Sequence, residues 1–232
     1  MKKLVLMDLD RTIINEAYQI NDENIFNILK DVANSMVIGL NSDTPIISLR
    51  QWKDYLGIGH TGPLIAERGA IMEIQNEKHF VSKARFASFK QEVAQSIQNN
   101  LPTSKIILGD VTRMLIENQR FSDCSKIIMI NGYRECSFSC YFRAIDNLGQ
   151  PFIDRDWSNE ILQIISNIFL PLHADEPFYD PDYGIFIINA ADTDKAFGAK
   201  TLMDKYYPDY KLFMIGDSNQ SFSSAIRFKT PF

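Results

Sequence analysis

Cysteine, histidine and basic charge are all scarce in this chain, and each shortage closes off a class of function. The three cysteines, Cys124, Cys136 and Cys140, cannot build a disulfide framework. The Cys136-x3-Cys140 pair has neither the spacing nor the companions of a zinc site. They read as buried thiols in a reducing compartment. His60, His79 and His173 show no ligand spacing. Lysine and arginine number 24 against 29 acidic residues, and the net charge of −5 argues against a general nucleic-acid binder. A small site can still be locally positive. No stretch approaches the ~20 apolar residues of a membrane span. Met1-Lys2-Lys3 is followed by only four apolar residues before Asp8, which is no signal peptide. A soluble, cytoplasmic protein with no nucleic-acid or membrane partner is expected. Its 232 residues, 45% of them apolar, suffice for one large domain or two modest ones.

What the chain does have is concentrated at its start. The apolar run Leu4-Val5-Leu6-Met7 reads as a buried strand, and it ends in Asp8-Leu9-Asp10-Arg11-Thr12. Two aspartates two positions apart on a strand share a face. Strands disfavour Asp, and paired carboxylates repel unless a cation compensates. In α/β sheets, the carboxyl ends of strands are where ligands bind. The plain alternative is that the pair merely ends the strand and begins a turn.

Strand and helix signals alternate through the first seventy residues. Ile25, Ile28, Leu29 and Val32 mark one helical face within 21–32, capped by Asn21 or Asp22. Met36 to Leu40 is a second apolar strand, ended by Asn41-Ser42-Asp43-Thr44-Pro45. Pro45 suits the first turn of a helix with Leu49, Trp52 and Leu56 as its stripe. Leu64-Ile65-Ala66 is a short third strand, followed by Glu67-Arg68-Gly69-Ala70. This alternation implies a doubly wound parallel sheet, an α/β fold. The middle differs: helical patterns over 86–97 and 158–169, a strand over 137–145, and an aromatic, β-branched stretch over 177–188 broken by Asp180-Pro181-Asp182. It reads as an inserted α+β domain spanning 75–188, with 1–74 and 189–232 forming the core. The first style then returns: a helix over 194–207, the strand Leu212-Phe213-Met214-Ile215, and Gly216-Asp217-Ser218-Asn219-Gln220 at its end.

In a parallel sheet the strand ends share an edge, so Asp8, Asp10, Ser42 and Asp217 can converge, with Lys195 reaching them from the start of a helix. Carboxylates, a hydroxyl and an ammonium suit a phosphoryl group and Mg²⁺, which takes oxygen ligands and keeps several waters. Plainer uses stand beside these. Ser42 could cap the helix opened by Pro45, alone or alongside a phosphate role, Lys195 could be a solvated first-turn lysine with Lys200 and Lys205 nearby, and Asp217 a turn residue.

Taken in order, Asp8-Leu9-Asp10-Arg11-Thr12, Asn41-Ser42-Asp43-Thr44-Pro45, Lys195 and Gly216-Asp217-Ser218-Asn219 resemble the motifs of haloacid-dehalogenase-like phosphatases. The resemblance is to the branch with an α/β cap inserted after the third core strand, which includes sugar-phosphate phosphatases. Glu67-Arg68-Gly69-Ala70 resembles that branch's Glu-Asn-Gly-Ala turn. The resemblance implies a Rossmann-like core with an inserted cap, and an Mg²⁺-dependent phosphomonoester hydrolase. Asp8 would be the nucleophile that forms an aspartyl-phosphate, and Asp10 the acid and then the base. Asp8, Asp10 through its main-chain carbonyl, and Asp217 would hold the metal, with Asn219 a candidate for its shell. Ser42 and Lys195 would bind the phosphoryl oxygens.

The pattern departs from the family at three places. Arg11 replaces the usual glycine, and is itself a candidate substrate contact. Gln220 and Ser221 stand where a second acid is usual, which thins the metal's surroundings. The chain ends eleven residues after Ser221, before the family's further strand and helix. Either a shortened core or a truncated chain would follow, and a dimer would cover the sheet edge so exposed. The cap is expected to select a small phosphorylated metabolite, with Arg113, Arg120, Arg134, Arg143 and Tyr179 as candidate contacts. A phosphomutase, or a member that binds a phosphorylated ligand without turnover, remains the alternative function.

Overall fold

The computed structural model describes residues 2–15, 18–83, 86, 89–117, 119–169 and 178–217. Asn219, Gln220, Ser221 and His173 lie outside them. The described residues fall into two compact units, one within Met1–Lys83 and Asp192–Phe232 and the other within Ala84–Ala191. No described helix is long and apolar enough to cross a membrane.

The chain begins with β1 (Lys2–Met7), α1 (Ile25–Ala33), β2 (Val37–Asn41), α2 (Ile46–Tyr55) and β3 (Leu64–Ala66). A 3₁₀ turn at Glu67–Gly69 leads into β4 (Ile71–Ile74) and β5 (Glu77–Phe80). α1 starts later than the sequence pattern implied. Asp22 Oδ1 accepts from the Asn24 N–H at 2.9 Å, and the helix opens at Ile25. α2 opens at Ile46, with Pro45 itself the extended cap residue.

The second unit holds α3 (Phe89–Asn100), β6 (Lys105–Gly109), α4 (Val111–Ile116), β7 (Lys126–Asn131), β8 (Phe138–Ile145), β9 (Pro151–Phe152), α5 (Arg155–Phe169), β10 (Phe178–Asp180) and β11 (Ile185–Ile188). Its sheet runs β10-β11-β8-β7-β6, with β9 on β8. Among the described strands of this unit, only β6 and β7 are parallel. The period of two sorts its residues onto two faces. Ile128, Ile130, Phe138, Cys140, Phe142, Phe186 and Ile188 pack with Val93 and Ile97 of α3 and Trp157, Ile161 and Ile165 of α5. Ile127, Met129, Tyr141, Ile185 and Ile187 pack with Val111 and Phe121. Burial pushes the Cys140 thiol well above its ordinary range, so this sulfur is inert packing.

The chain then returns to the first unit through α6 (Lys195–Tyr206) and β12 (Tyr210–Ile215). The first sheet is ordered β12-β1-β2-β3-β4-β5. Its four strands β12, β1, β2 and β3 are parallel, and the β4–β5 hairpin is antiparallel. The hairpin turn rests on Gln75 and Asn76, both at positive φ (52° and 68°). β2 lies on one side of β1 and β12 on the other, so strand order reverses at β1. Ligands of open α/β sheets bind at such a switch point. Leu4 and Leu6 pack on the face covered by Ala199 and Leu202 of α6, together with Ile65 and Met72.

Candidate active site

Asp8 follows β1 with the parity of Leu4 and Leu6, so its side chain leaves the sheet on the side of α6. Its N–H donates to the Ile215 carbonyl at 2.8 Å, continuing the β1–β12 ladder one step past Met7. This brings Gly216 beside the aspartate, with Asp217 one residue further along the chain. The strand itself ends at Met7, however. The N–H groups of Thr12, Ile13 and Ile14 all turn back to the Leu9 carbonyl, at 3.3, 2.9 and 3.0 Å. The Asp-x-Asp pair is therefore brought together by a tight loop, not by a shared strand face as the spacing suggested. Arg11 lies in that loop at φ 58°. The resembled family's glycine at this position has a physical reason, since left-handed backbone costs an ordinary residue about 1 kcal/mol or more.

Lys195 opens α6, whose N-cap is Asp194; Asp194 Oδ1 accepts from the Phe197 N–H at 2.6 Å. The lysine Nζ donates to Asp8 Oδ2 at 2.6 Å across 187 residues of sequence. The other Asp8 oxygen accepts from the Leu9 N–H at 2.8 Å. The start of α6 is pressed against the turn after β3. A Cβ on Gly69 would lie 2.1 Å from the Asp194 carbonyl oxygen, and one on Gly198 would lie 2.7 Å from Gly69 Cα. Only two glycines permit this approach. Asn41 Nδ2 donates to the Lys195 carbonyl at 3.1 Å, tying the end of β2 to the same turn of helix.

Ser42 is fully buried past β2. Its N–H donates to the Ile65 carbonyl at 3.0 Å, and its carbonyl accepts from the Arg68 N–H at 3.4 Å. Its hydroxyl lies 3.1 Å from Asp10 Oδ2 and 3.1 Å from Thr44 Oγ1, and accepts from the Thr44 N–H at 3.1 Å. Ser42 is thus no helix cap. α2 has no side-chain cap, and the hydroxyl faces the aspartates.

Three carboxylates surround one ammonium here. Burial raises the Asp8 pKa to about 6 against the pull of Lys195, with Asp10 and Asp43 adding to the rise. Burial also works against the Lys195 charge, but Asp43, Asp8 and Asp10 together outweigh it and hold its pKa above the ordinary value. Asp43 Oδ1 is buried with no hydrogen-bond partner. The excess negative charge and all-oxygen donors suit a hard cation. Among the described residues no three acidic, His or Cys side chains form a closed metal cage. Mg²⁺ needs only one or two carboxylates and keeps its waters, so the open pair fits it. Asp217 is exposed at the neighbouring strand end.

Four of the second unit's candidate contacts, Arg113, Arg134, Arg143 and Tyr179, have partners within that unit. Arg143 is buried and spends its guanidinium on main-chain carbonyls: Phe142 at 2.7 Å, Gly184 at 3.1 Å and Tyr183 at 2.6 Å. It fastens β8 to the turn before β11. Arg113 is exposed on α4 and pairs with Glu117 at 2.7 Å. Arg134 is buried and donates to Ser137 Oγ at 2.9 Å. Tyr179 stacks on Phe142, ring centroids 6.1 Å apart. Sequence reasoning passed over Asp43 and Thr44, although the Ser42-x-Thr44 spacing on a strand-end loop was a usable signal.

No protein-family model matches the chain, and no curated protein sequence is similar to it. Solved structures are similar to it in fold. A haloacid dehalogenase-like hydrolase from Bacteroides thetaiotaomicron superposes with a TM-score of 0.64 at 14% identity, covering 97% of this chain and 85% of its own. A trehalose-6-phosphate phosphatase related protein gives 0.59 at 12% identity, with 97% and 83% covered. The trehalose-6-phosphate phosphatase C-terminal domain of C. albicans gives 0.59 at 14%, with 96% and 73% covered. The chain has the α/β fold of the haloacid dehalogenase-like hydrolases.

Proposed function

We propose that the protein is a phosphomonoester hydrolase acting through a phosphoryl group carried on Asp8. The observation that carries this reading is the part-buried Asp8–Lys195 contact of 2.6 Å at the switch point of the sheet, with Asp10 held by Ser42 on the adjoining loop. Asp8 Oδ attacks phosphorus, the phosphorus–oxygen ester bond breaks, and Asp10 gives its proton to the leaving alkoxide. Asp10 then takes a proton from the water that cleaves the acyl phosphate. Lys195 neutralises a phosphoryl oxygen while keeping the nucleophile oriented, and Ser42 donates to another. Phosphoryl transfer draws most of its acceleration from such placement of charge.

The carboxylates of Asp8 and Asp217 and the main-chain carbonyl of Asp10 would hold Mg²⁺, with Asn219 contributing to its shell. When bound, it offsets the repulsion between an anionic nucleophile and an anionic phosphate. A small phosphorylated metabolite of the sugar-phosphate class is the proposed substrate. The fold shared with proteins named as trehalose-6-phosphate phosphatases supports it.

Release of phosphate from p-nitrophenyl phosphate with Mg²⁺, lost in Asp8→Asn, tests the reading. No turnover across a phosphomonoester panel with Mg²⁺, Mn²⁺ or Co²⁺ would overturn it. Label from ¹⁸O-water appearing in the released phosphate separates hydrolysis from return of the phosphoryl group to a sugar.

A further inference from the structure

Three oxygens form a closed triangle beside the nucleophile: Ser42 Oγ, Thr44 Oγ1 and Asp10 Oδ2. Its sides are 3.1 Å from Ser42 to Asp10, 3.1 Å from Ser42 to Thr44, and 3.4 Å from Thr44 to Asp10. Two hydroxyl protons must serve three contacts. Ser42 Oγ also accepts from the Thr44 N–H, which fixes the serine oxygen but leaves its proton free to choose between partners. The loop that carries both hydroxyls is tied to the turn after β3 by two main-chain hydrogen bonds. The Thr44 carbonyl accepts from the Glu67 N–H at 3.2 Å and the Ser42 carbonyl accepts from the Arg68 N–H.

A conflict follows for Ser42. The proposed phosphatase uses its hydroxyl on the phosphoryl group, yet the same hydroxyl is within hydrogen-bond distance of Asp10 Oδ2 here. One proton cannot serve both. When Ser42 turns to the phosphoryl oxygen, the hydroxyl that stays on Asp10 Oδ2 is that of Thr44.

We propose that Thr44 is a positioning residue for the acid/base Asp10, holding its carboxyl in the reactive orientation once substrate has drawn the Ser42 hydroxyl away. This rests on the phosphatase reading above. Thr44 does not touch the reacting atoms; it acts by fixing the rotamer of the group that does. A misplaced acid matters most where the leaving group needs a proton, so its loss should discriminate between leaving groups.

The test compares Thr44→Val, which keeps the shape and removes the hydroxyl, with Thr44→Ser, which keeps the hydroxyl. Each is assayed with Mg²⁺ on an alkyl ester, glycerol 2-phosphate, and on p-nitrophenyl phosphate, whose leaving group departs without a proton. kcat/KM reports the phosphoryl-transfer step in both. Thr44→Val is expected to lose about tenfold or more on glycerol 2-phosphate but less than about threefold on p-nitrophenyl phosphate, with Thr44→Ser within about twofold of wild type on both. An equal loss on both esters, no loss on either, or a Thr44→Ser defect as large as that of Thr44→Val overturns the positioning role and leaves the phosphatase reading standing. A wild-type protein inactive on both esters overturns the two together.

Discussion

Gly198→Ala tests how closely α6 is seated on the turn after β3. A methyl group at this position would meet Gly69 Cα at 2.7 Å and Ile65 Cγ2 at 2.9 Å. Carbon atoms settle at about 3.5 Å or more, so the first turn of α6 must withdraw by roughly 0.7–1 Å. Overpacking of this kind costs about 1–3 kcal/mol, and alanine's helix preference over glycine returns about 1. The expected net loss is about 1 kcal/mol, read by urea denaturation. Function should suffer more than stability. Lys195 sits three residues earlier on the same turn, and its 2.6 Å contact with Asp8 is what moves. A displacement near 1 Å is worth up to about a hundredfold in rate, so kcat/KM for phosphate release should drop by at least about tenfold. A Gly198→Ala protein as active as wild type and more stable would refute the reasoning, because helix propensity alone would then govern the site.

Three further outcomes follow. Arg68 occupies φ 57°, where the resembled family carries Asn; Arg68→Asn should raise stability by about 0.5–1 kcal/mol in denaturant titration, and a loss would contradict the backbone argument. In metal-free protein, burial lifts Asp8 from 3.8 in the unfolded chain to about 6, so the fold holds a proton in that window that the unfolded chain does not. This contribution to stability is full below pH 3.8 and fades as pH rises to about 6. At 1.36 kcal/mol per pH unit it amounts to about 3 kcal/mol, so Asp8→Asn should gain on wild type by that order between pH 4 and 7; parallel stability–pH curves would contradict it. Arg143→Leu should destabilise by about 2–3 kcal/mol because the Phe142, Gly184 and Tyr183 carbonyls each lose a charged donor, although Gly184 keeps the Phe142 N–H, while Arg113→Ala, on an exposed side chain, should leave stability essentially unchanged. Thermal melts of both variants check the contrast.

The strands and helices that position the site were legible because their apolar runs are short and bounded: Leu4–Met7 before Asp8, Leu64–Ala66 before Glu67, Leu212–Ile215 before Gly216. β5 was missed because its residues Glu77, Lys78, His79 and Phe80 are mostly exposed and carry no apolar alternation. β6 and β7 do carry apolar runs, at Ile106–Leu108 and Ile127–Ile130, and went unread between stronger signals. Within the candidate site, Asp8, Asp10, Ser42 and Lys195 were singled out through the ordered motifs, and the structure brings these four together. Their geometry was not legible. That Lys195 meets Asp8 depends on a Gly69–Gly198 approach between residues far apart in sequence. That Asp8 and Asp10 converge depends on a loop closed by the Leu9 carbonyl. The Tyr183 and Gly184 carbonyls that Arg143 binds were not legible either, because they come from a turn about 40 residues away in sequence.

That Asp8 carries the phosphoryl group is tested most directly by rapid acid quench of the protein turning over a ³²P-labelled phosphomonoester with Mg²⁺, followed by peptide mapping. The expected result is label on the peptide containing Asp8 in the wild type, and neither label nor phosphate release in Asp8→Asn. Undiminished phosphate release by Asp8→Asn would contradict it.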